Sequence, residues 1–142
     1  MNGRFHRLVC LGMVVAASIG CGSAVEVEEN PNVLNPVTGV ISLNGKAIPT
    51  GSVVSFHSKD GGATAPKIFG TYSAEENYFS VMTVKDGENF GGAPEGTYVV
   101  TVQPPRNKPS AIPAKFGNPT TSGLTVEIKP GMNSIPEMKL VP

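Results

Sequence analysis

The sequence contains one grouping of the residue types used in nucleophilic catalysis, formed by Ser55, His57 and Asp60. In a β-strand, Ser55 and His57 would lie side by side on one face, because alternate side chains point the same way. A hydrolytic triad also requires an oriented base and an oxyanion hole, and nothing in the neighbouring sequence indicates a pocket. We therefore expect a solvent-exposed strand face here and predict that the protein is not an enzyme.

The first twenty residues differ in composition from the rest of the chain. Arg4 and Arg7 precede an apolar or small stretch over residues 8–20, which is the pattern of a secretory signal peptide. This stretch is shorter than the roughly twenty residues that a permanent membrane-spanning helix needs. We predict that residues 1–20 are a cleaved leader and that the protein is exported.

A cysteine stands directly after this apolar stretch. The run from Ser18 to Cys21 resembles the lipobox of bacterial lipoproteins. The resemblance implies cleavage between Gly20 and Cys21, and attachment of lipid to the Cys21 thiol. In that family, Gly22 after the cysteine implies sorting to the outer membrane, so we expect a protein anchored to the cell envelope. The alternative is an ordinary secretory signal that ends near a cysteine by chance.

Few side chains in the exported chain can bind a metal. Cys10 and His6 belong to the leader, so Cys21 and His57 would be the remaining thiol and imidazole. A zinc site of the usual His and Cys type cannot be assembled from them, and Cys21 has no partner for a disulfide. The acidic segment 86–89 offers oxygen ligands but lacks the EF-hand spacing. We interpret it as a solvated turn and predict no metal and no cofactor.

A segment rich in proline and basic residues is the second candidate site. No acidic residue occurs over 96–126, and five prolines lie within 103–123. A stretch of about twenty residues without secondary structure is often functional, and this one could contact an anionic partner. In the alternative, Ile112, Pro113 and Phe116 pack the loop over one end of the fold, and the cations stay in water. The candidate binding residues are Arg106, Lys108, Lys115 and Phe116.

The bulk composition excludes two classes of protein. Gly and Pro number 17 and 13, so long helices and helical bundles are disfavoured. Charged residues make up 15% of the chain, the formal net charge is zero and Trp is absent, which argues against a nucleic-acid partner. We expect an all-β fold with little or no helix.

Short runs of alternating apolar and polar residues follow residue 36, as in half-buried strands. Asn44-Gly45 marks a tight hairpin, whereas 86–92 is predicted to be a loop. Seven strands of this length are typical of a β-sandwich. Residues 21–36 lack such a pattern and are predicted to be the lipidated cysteine and a flexible linker. The predicted strands are 37–43, 52–58, 68–73, 78–84, 96–102, 124–129 and 135–140.

Several segments in this pattern carry a family resemblance. The runs over 37–46, 78–81, 93–100, 112–116 and 121–126 resemble the carboxypeptidase regulatory-like domains, as found in short bacterial envelope lipoproteins. The resemblance covers 37–142 and implies a seven-stranded, transthyretin-like or immunoglobulin-like β-sandwich. The sequence departs from the family pattern at its second hairpin turn, where we expect a wider loop.

Two functions remain open at this point. The first is a structural or protein-binding module, held at the membrane by lipid on Cys21. The second is a carbohydrate-binding surface lipoprotein whose partner is an envelope polysaccharide. The carbohydrate-binding role is less well supported, because the sequence has no Trp and only Tyr72, Tyr78 and Tyr98 for stacking on sugars. Of these, Tyr98 is predicted to be buried.

Overall fold

The computed structural model describes residues 33–62 and 64–142, which form an all-β domain. The predicted leader, Gly20, Cys21 and most of the predicted linker lie outside these residues. The described strands number nine, because the seven predicted strands are joined by two shorter ones. The strands are β1 (Val37–Leu43), β2 (Lys46–Ala47), β3 (Val53–Ser58), β4 (Lys67–Ser73), β5 (Tyr78–Lys85), β6 (Glu88–Gly91), β7 (Gly96–Gln103), β8 (Leu124–Ile128) and β9 (Asn133–Leu140).

The strands form a single curled sheet in the order β2-β1-β5-β4-β3-β7-β8, with β6 beside β5 and β9 beside β1. Only the β1 and β9 pair is parallel among these strand pairs. The edge strands β8 and β9 are joined by residues 129–132. A connection of that length holds the joined strand ends within about 17 Å, so the sheet must curl around a shared interior.

The side-chain alternation predicted for the central strands is confirmed. Val54 and Phe56 of β3 are buried, and the intervening Ser55 points to the other face. In β7, Tyr98 and Val100 point inward as predicted, together with Val102. Because the interior takes every second residue, this pattern fixes the register of both strands.

Two tight turns join neighbouring strands at residues with positive φ. Asn44 and Gly45 have φ values of 52° and 74°, and the strands pair across them from Leu43 to Lys46, which confirms the predicted hairpin. A second such turn at residues 86–87 joins β5 to β6. The prediction of a loop over 86–92 was therefore wrong. All four residues of β6 are exposed, so the strand carries no apolar alternation to mark it.

The interior is centred on Phe79 of β5, which has no exposed surface. Its ring centroid lies 6.2 Å from that of Phe56, a separation typical of favourable aromatic pairs. Two glycines leave room for the ring and its strand. A Cβ atom on Gly39 would lie 2.6 Å from Phe79 Cζ, and one on Gly70 would lie 2.5 Å from the Ser80 carbonyl oxygen.

Strand directions divide the loops of the domain between two ends. The chain enters β1 at one end, which we call the basal end, and β1 runs toward the opposite, distal end. The antiparallel registers then place each connection at one end or the other. The basal segments are 33–36, 59–66, 86–87, 92–95 and 129–132. The distal segments are 44–45, 48–52, 74–77, 104–123 and 141–142.

Asn35 ties three basal segments together. Its backbone forms two hydrogen bonds with Ala93, with N···O distances of 2.8 and 3.0 Å. Its side-chain Oδ1 accepts a hydrogen bond of 2.8 Å from the Gly131 amide. The residue is buried. The contacts of the domain therefore begin at Asn35, within the segment assigned to the linker and two residues before the predicted start at residue 37.

The substitution Asn35→Ala is expected to lower the free energy of unfolding by about 1 kcal/mol, because it removes the hydrogen bond that the Gly131 amide donates to the Asn35 side chain. Urea unfolding followed by circular dichroism measures the effect. Asn89→Ala is the matched control, since Asn89 is exposed on β6 and such changes usually stay within about 0.5 kcal/mol. Equal losses in the two variants would contradict the bridging role of Asn35.

Candidate functional site

The segment 104–123, which we call the distal loop, connects β7 to β8 and is anchored to the interior. Ile112 and Phe116 are both buried. Between them, Pro113 precedes a short 3-10 turn (Ala114–Gly117), and the Phe116 amide donates to the Pro113 carbonyl at 3.1 Å. The apolar residues Ile112 and Phe116 therefore pack over one end of the fold, as in the alternative prediction.

Hydrogen bonds between neighbouring residues hold the rest of the distal loop. The Lys108 amide donates to the Pro105 carbonyl at 2.9 Å, and the Ala111 amide donates to the Lys108 carbonyl at 3.1 Å. Further along, the Thr121 hydroxyl donates to the Lys115 carbonyl at 2.7 Å. These successive turns and the five prolines give the loop a defined shape, so the backbone positions that carry its cations are fixed.

The three cations of the distal loop, Arg106, Lys108 and Lys115, are exposed. None of them forms an ion pair with any residue that the structure describes; the one described pair joins Lys139 to Glu137 at 4.0 Å. Their charges therefore remain available to a partner. With no acidic residue in the loop, the surface there is positive.

Phe116 has the position expected in the packing alternative and is not part of a binding surface. Only 4% of the residue is exposed, so its ring is not available to a ligand. The Lys115 Nζ atom lies 4.9 Å from the centroid of that ring, within the range of a cation–π contact. Phe116 therefore anchors the loop and positions Lys115.

The residue types of a catalytic triad are not assembled around His57. Its Nε2 atom lies 3.0 Å from the Thr101 hydroxyl, a neutral partner where a catalytic histidine would have a carboxylate. Ser55 and His57 share the outer face of β3 as predicted, and they line an open groove of about 540 Å³. No sequence pattern indicated this groove. No acidic residue lines it, so the groove lacks the carboxylate of a triad.

A second groove, of about 760 Å³, opens at the basal end, and we call it the basal groove. Leu34, Thr83, Phe90 and Pro94 line it, and Lys67 and Asp86 are among its polar residues. Phe90 extends from β6 opposite Thr83 of β5. Sequence reasoning missed this feature, because its lining comes from segments far apart in the chain.

The tyrosines offer little surface for stacking on sugar rings. Tyr72 and Tyr98 are both buried, and burial raises the pKa of each phenol. Their hydroxyls donate hydrogen bonds to the Asn77 side-chain oxygen at 2.6 Å and to the Pro94 carbonyl at 2.8 Å. Tyr78 is 40% exposed and remains the single tyrosine whose ring is accessible.

The part of the chain that the structure describes has neither a metal-binding cluster nor a membrane-spanning helix. It contains no cluster of three His, Cys, Asp or Glu side chains able to bind a metal ion. No helix within those residues has the length and hydrophobicity to cross a membrane. Comparisons with protein-family models, curated proteins and solved structures gave no match for the chain.

Proposed function

We propose that this protein is an exported, non-enzymatic lipoprotein that binds a partner in the cell envelope through its distal loop. The leader over residues 1–20 and the position of Cys21 support export and lipid attachment. The observation that carries the binding role is the placement of the distal loop, because it lies at the end of the domain opposite the one that the chain enters from Cys21.

The same sequence features support a finer proposal about the fold. We propose that the curled sheet is a transthyretin-like β-sandwich of the carboxypeptidase regulatory-like kind. The short connection 129–132 between the edge strands supports it, as does the meeting of aromatic residues from β3, β5 and β7 in one interior. Loops at the ends of such sandwiches are the usual place for binding residues.

The chemistry of the distal loop favours an acidic protein surface as the partner. Arg106, Lys108 and Lys115 present three positive charges without ion pairs among the described residues. Because turns and prolines fix the backbone, less conformational entropy is lost when the loop binds. Complementary charge also accelerates association and disfavours basic partners. A protein surface rich in Asp and Glu meets these requirements.

An anionic polysaccharide of the envelope is the alternative partner, since it would meet the same cations. Carbohydrate modules commonly add aromatic platforms to such charges. Tyr72, Tyr98 and Phe116 are buried and the sequence has no Trp, which leaves Tyr78 as the one exposed tyrosine among the described residues. This distribution favours the protein partner.

The double charge reversal Arg106→Glu with Lys108→Glu tests the binding role. Crosslinking in intact cells, followed by capture of the lipoprotein, identifies the neighbouring molecules of wild type and variant. We expect the variant to capture about tenfold less of the protein neighbour that the wild type captures, because repulsion replaces attraction at the contact. Membrane retention should be unchanged.

A matched control reverses the same amount of charge at the other end of the domain. Lys59 and Lys129 are exposed and basal, so Lys59→Glu with Lys129→Glu should leave the captured neighbour unchanged. Equal loss in both double variants would show an effect of net charge and contradict a role for the distal loop. Capture of glycan alone by the wild type would identify the polysaccharide as the partner.

A further inference from the structure

The basal end of the domain carries exposed apolar side chains that no interior contact explains. Val33, Phe90 and Met132 are 53%, 42% and 88% exposed. Among the described residues, the other large hydrophobic side chains with comparable exposure are Tyr78, which borders the distal segment 74–77, and Val141, within the distal segment 141–142. Three of these five exposed side chains therefore lie at the end where the chain enters from Cys21.

Hydrogen bonds of Asn35 bring the three basal side chains into one neighbourhood. Val33 lies two residues before Asn35 in the chain. Phe90 lies three residues before Ala93, the backbone partner of Asn35, and Met132 directly follows Gly131, whose amide donates to the Asn35 side chain. Three segments distant in sequence thus place their apolar residues around the buried Asn35.

The basal groove extends this apolar surface inward. Leu34, which follows Val33, lines the groove together with Phe90 and Pro94. Glycine also permits the close approach of these segments. Gly92 has φ +101°, and a Cβ atom on it would collide with the Asn35 carbonyl. The surface is therefore built by close backbone packing and has a fixed shape.

The length of chain between Cys21 and Val33 indicates what this surface meets. If the residues between Cys21 and Val33 form the predicted flexible linker, they span on the order of 20 Å. If Cys21 carries lipid, the basal end is thus held close to the headgroups, where a short flexible link produces millimolar effective concentrations. A contact too weak to bind a free protein would then be occupied most of the time.

We propose that the basal end docks on the phospholipid surface to which Cys21 is anchored, with Phe90 and Met132 inserted at the interface between headgroups and acyl chains. This inference rests on the proposed lipid attachment. Apolar side chains on an interfacial protein face enter this region of a bilayer without needing a shaped cavity. Docking would hold the domain upright, so that the distal loop points away from the membrane.

The absence of Trp from the sequence allows a direct test with single tryptophan reporters. The variants are Phe90→Trp, Met132→Trp and Val141→Trp, each in a chain lacking residues 1–20. Cys21 is the sole thiol of that chain, so it can be coupled to a maleimide-bearing phosphatidylethanolamine in phosphatidylcholine vesicles. Chemical coupling makes the test independent of whether the cell attaches lipid.

Vesicles with acyl chains brominated near the headgroup quench tryptophan that inserts at the interface. We expect the fluorescence of the Phe90→Trp and Met132→Trp chains to fall about twofold on coupling, since interfacial residues lie within a few ångströms of the upper acyl chains. The Val141→Trp chain, whose reporter is distal, should not be quenched.

Three outcomes would overturn the docking. Quenching of all three reporters would show that the domain lies on the membrane without a preferred face. Quenching of Val141→Trp alone would show the opposite orientation, and quenching of none would show that the basal surface meets something other than lipid. Met132 is in an exposed turn, so its variant remains informative even if Phe90→Trp disturbs β6.

Discussion

Replacing Cys21 by Ala is expected to abolish incorporation of labelled palmitate and to release the protein from the membrane fraction. The thiol is the proposed attachment atom, and alanine has no nucleophile to replace it. Each methylene buried in the bilayer contributes about 0.8 kcal/mol, and stable anchoring needs two such chains or their equivalent. Interfacial contacts of the basal end alone would not retain the protein after washing.

Metabolic labelling followed by fractionation of cells measures both effects. Cys10→Ala is the matched control, because Cys10 lies in the predicted leader and its loss should leave labelling and retention intact. If the Cys21→Ala protein keeps its label and stays with the membrane, the proposed anchor is wrong. If both variants and the wild type are unlabelled but exported, the leader is an ordinary secretory signal.

The second large effect concerns stability, and it is expected for Phe79→Ala. Phe79 is completely buried, and removing such a ring costs about 3–5 kcal/mol through lost burial and the cavity left behind. Most single domains are stable by only about 5–15 kcal/mol, so the variant should be near the limit of folding. Urea unfolding of the chain lacking residues 1–20 measures the difference.

The surroundings of Phe79 indicate that the free energy of unfolding lost in Phe79→Ala lies in the upper part of that range. Gly39 and Gly70 lie against the ring or its strand and have no side chains that could move into the cavity. Phe90→Ala is the matched control on the neighbouring strand, where the ring is partly exposed, and we expect a loss below about 1 kcal/mol. A similar loss in both variants would contradict the assignment of Phe79 to the centre of the interior.

Local sequence patterns predicted the central part of this fold well. The alternation over β3 and β7 identified Val54, Phe56 and Val100 as interior residues, since a strand with one buried face must place apolar residues at every second position. Asn44-Gly45 predicted its turn for an equally local reason, because both residues adopt positive φ easily.

Features that depend on contacts between distant segments could not be predicted in the same way. The four residues of β6 are held by backbone hydrogen bonds to β5 and have no buried side to mark them in sequence. Asn35 resembles any polar linker residue until Ala93 and Gly131 are brought beside it. The partners that hold β6 and Asn35 are therefore not visible in the short stretch of sequence around either of them.

In the candidate site, too, local sequence predicted some features, whereas others depend on contacts between distant segments. Exposure of Arg106, Lys108 and Lys115 followed from their charge, because an unpaired cation is rarely buried. Phe116 was assigned to the binding surface from its neighbours in sequence, whereas its apolar ring favoured burial. The cluster containing Phe90 and Met132 had no sequence pattern, because the fold alone brings its members together.

The parallel pairing of β1 with β9 joins one of the first described residues of the sheet, Val37, to Asn133 near the end of the chain. Contacts over such a separation slow folding, because a long loop must close before they form. While residues 133–140 are not yet synthesised, β1 has an open edge that could pair with other chains. The sheet therefore cannot be completed before β9 is synthesised, and a chain interrupted before β9 is expected to aggregate.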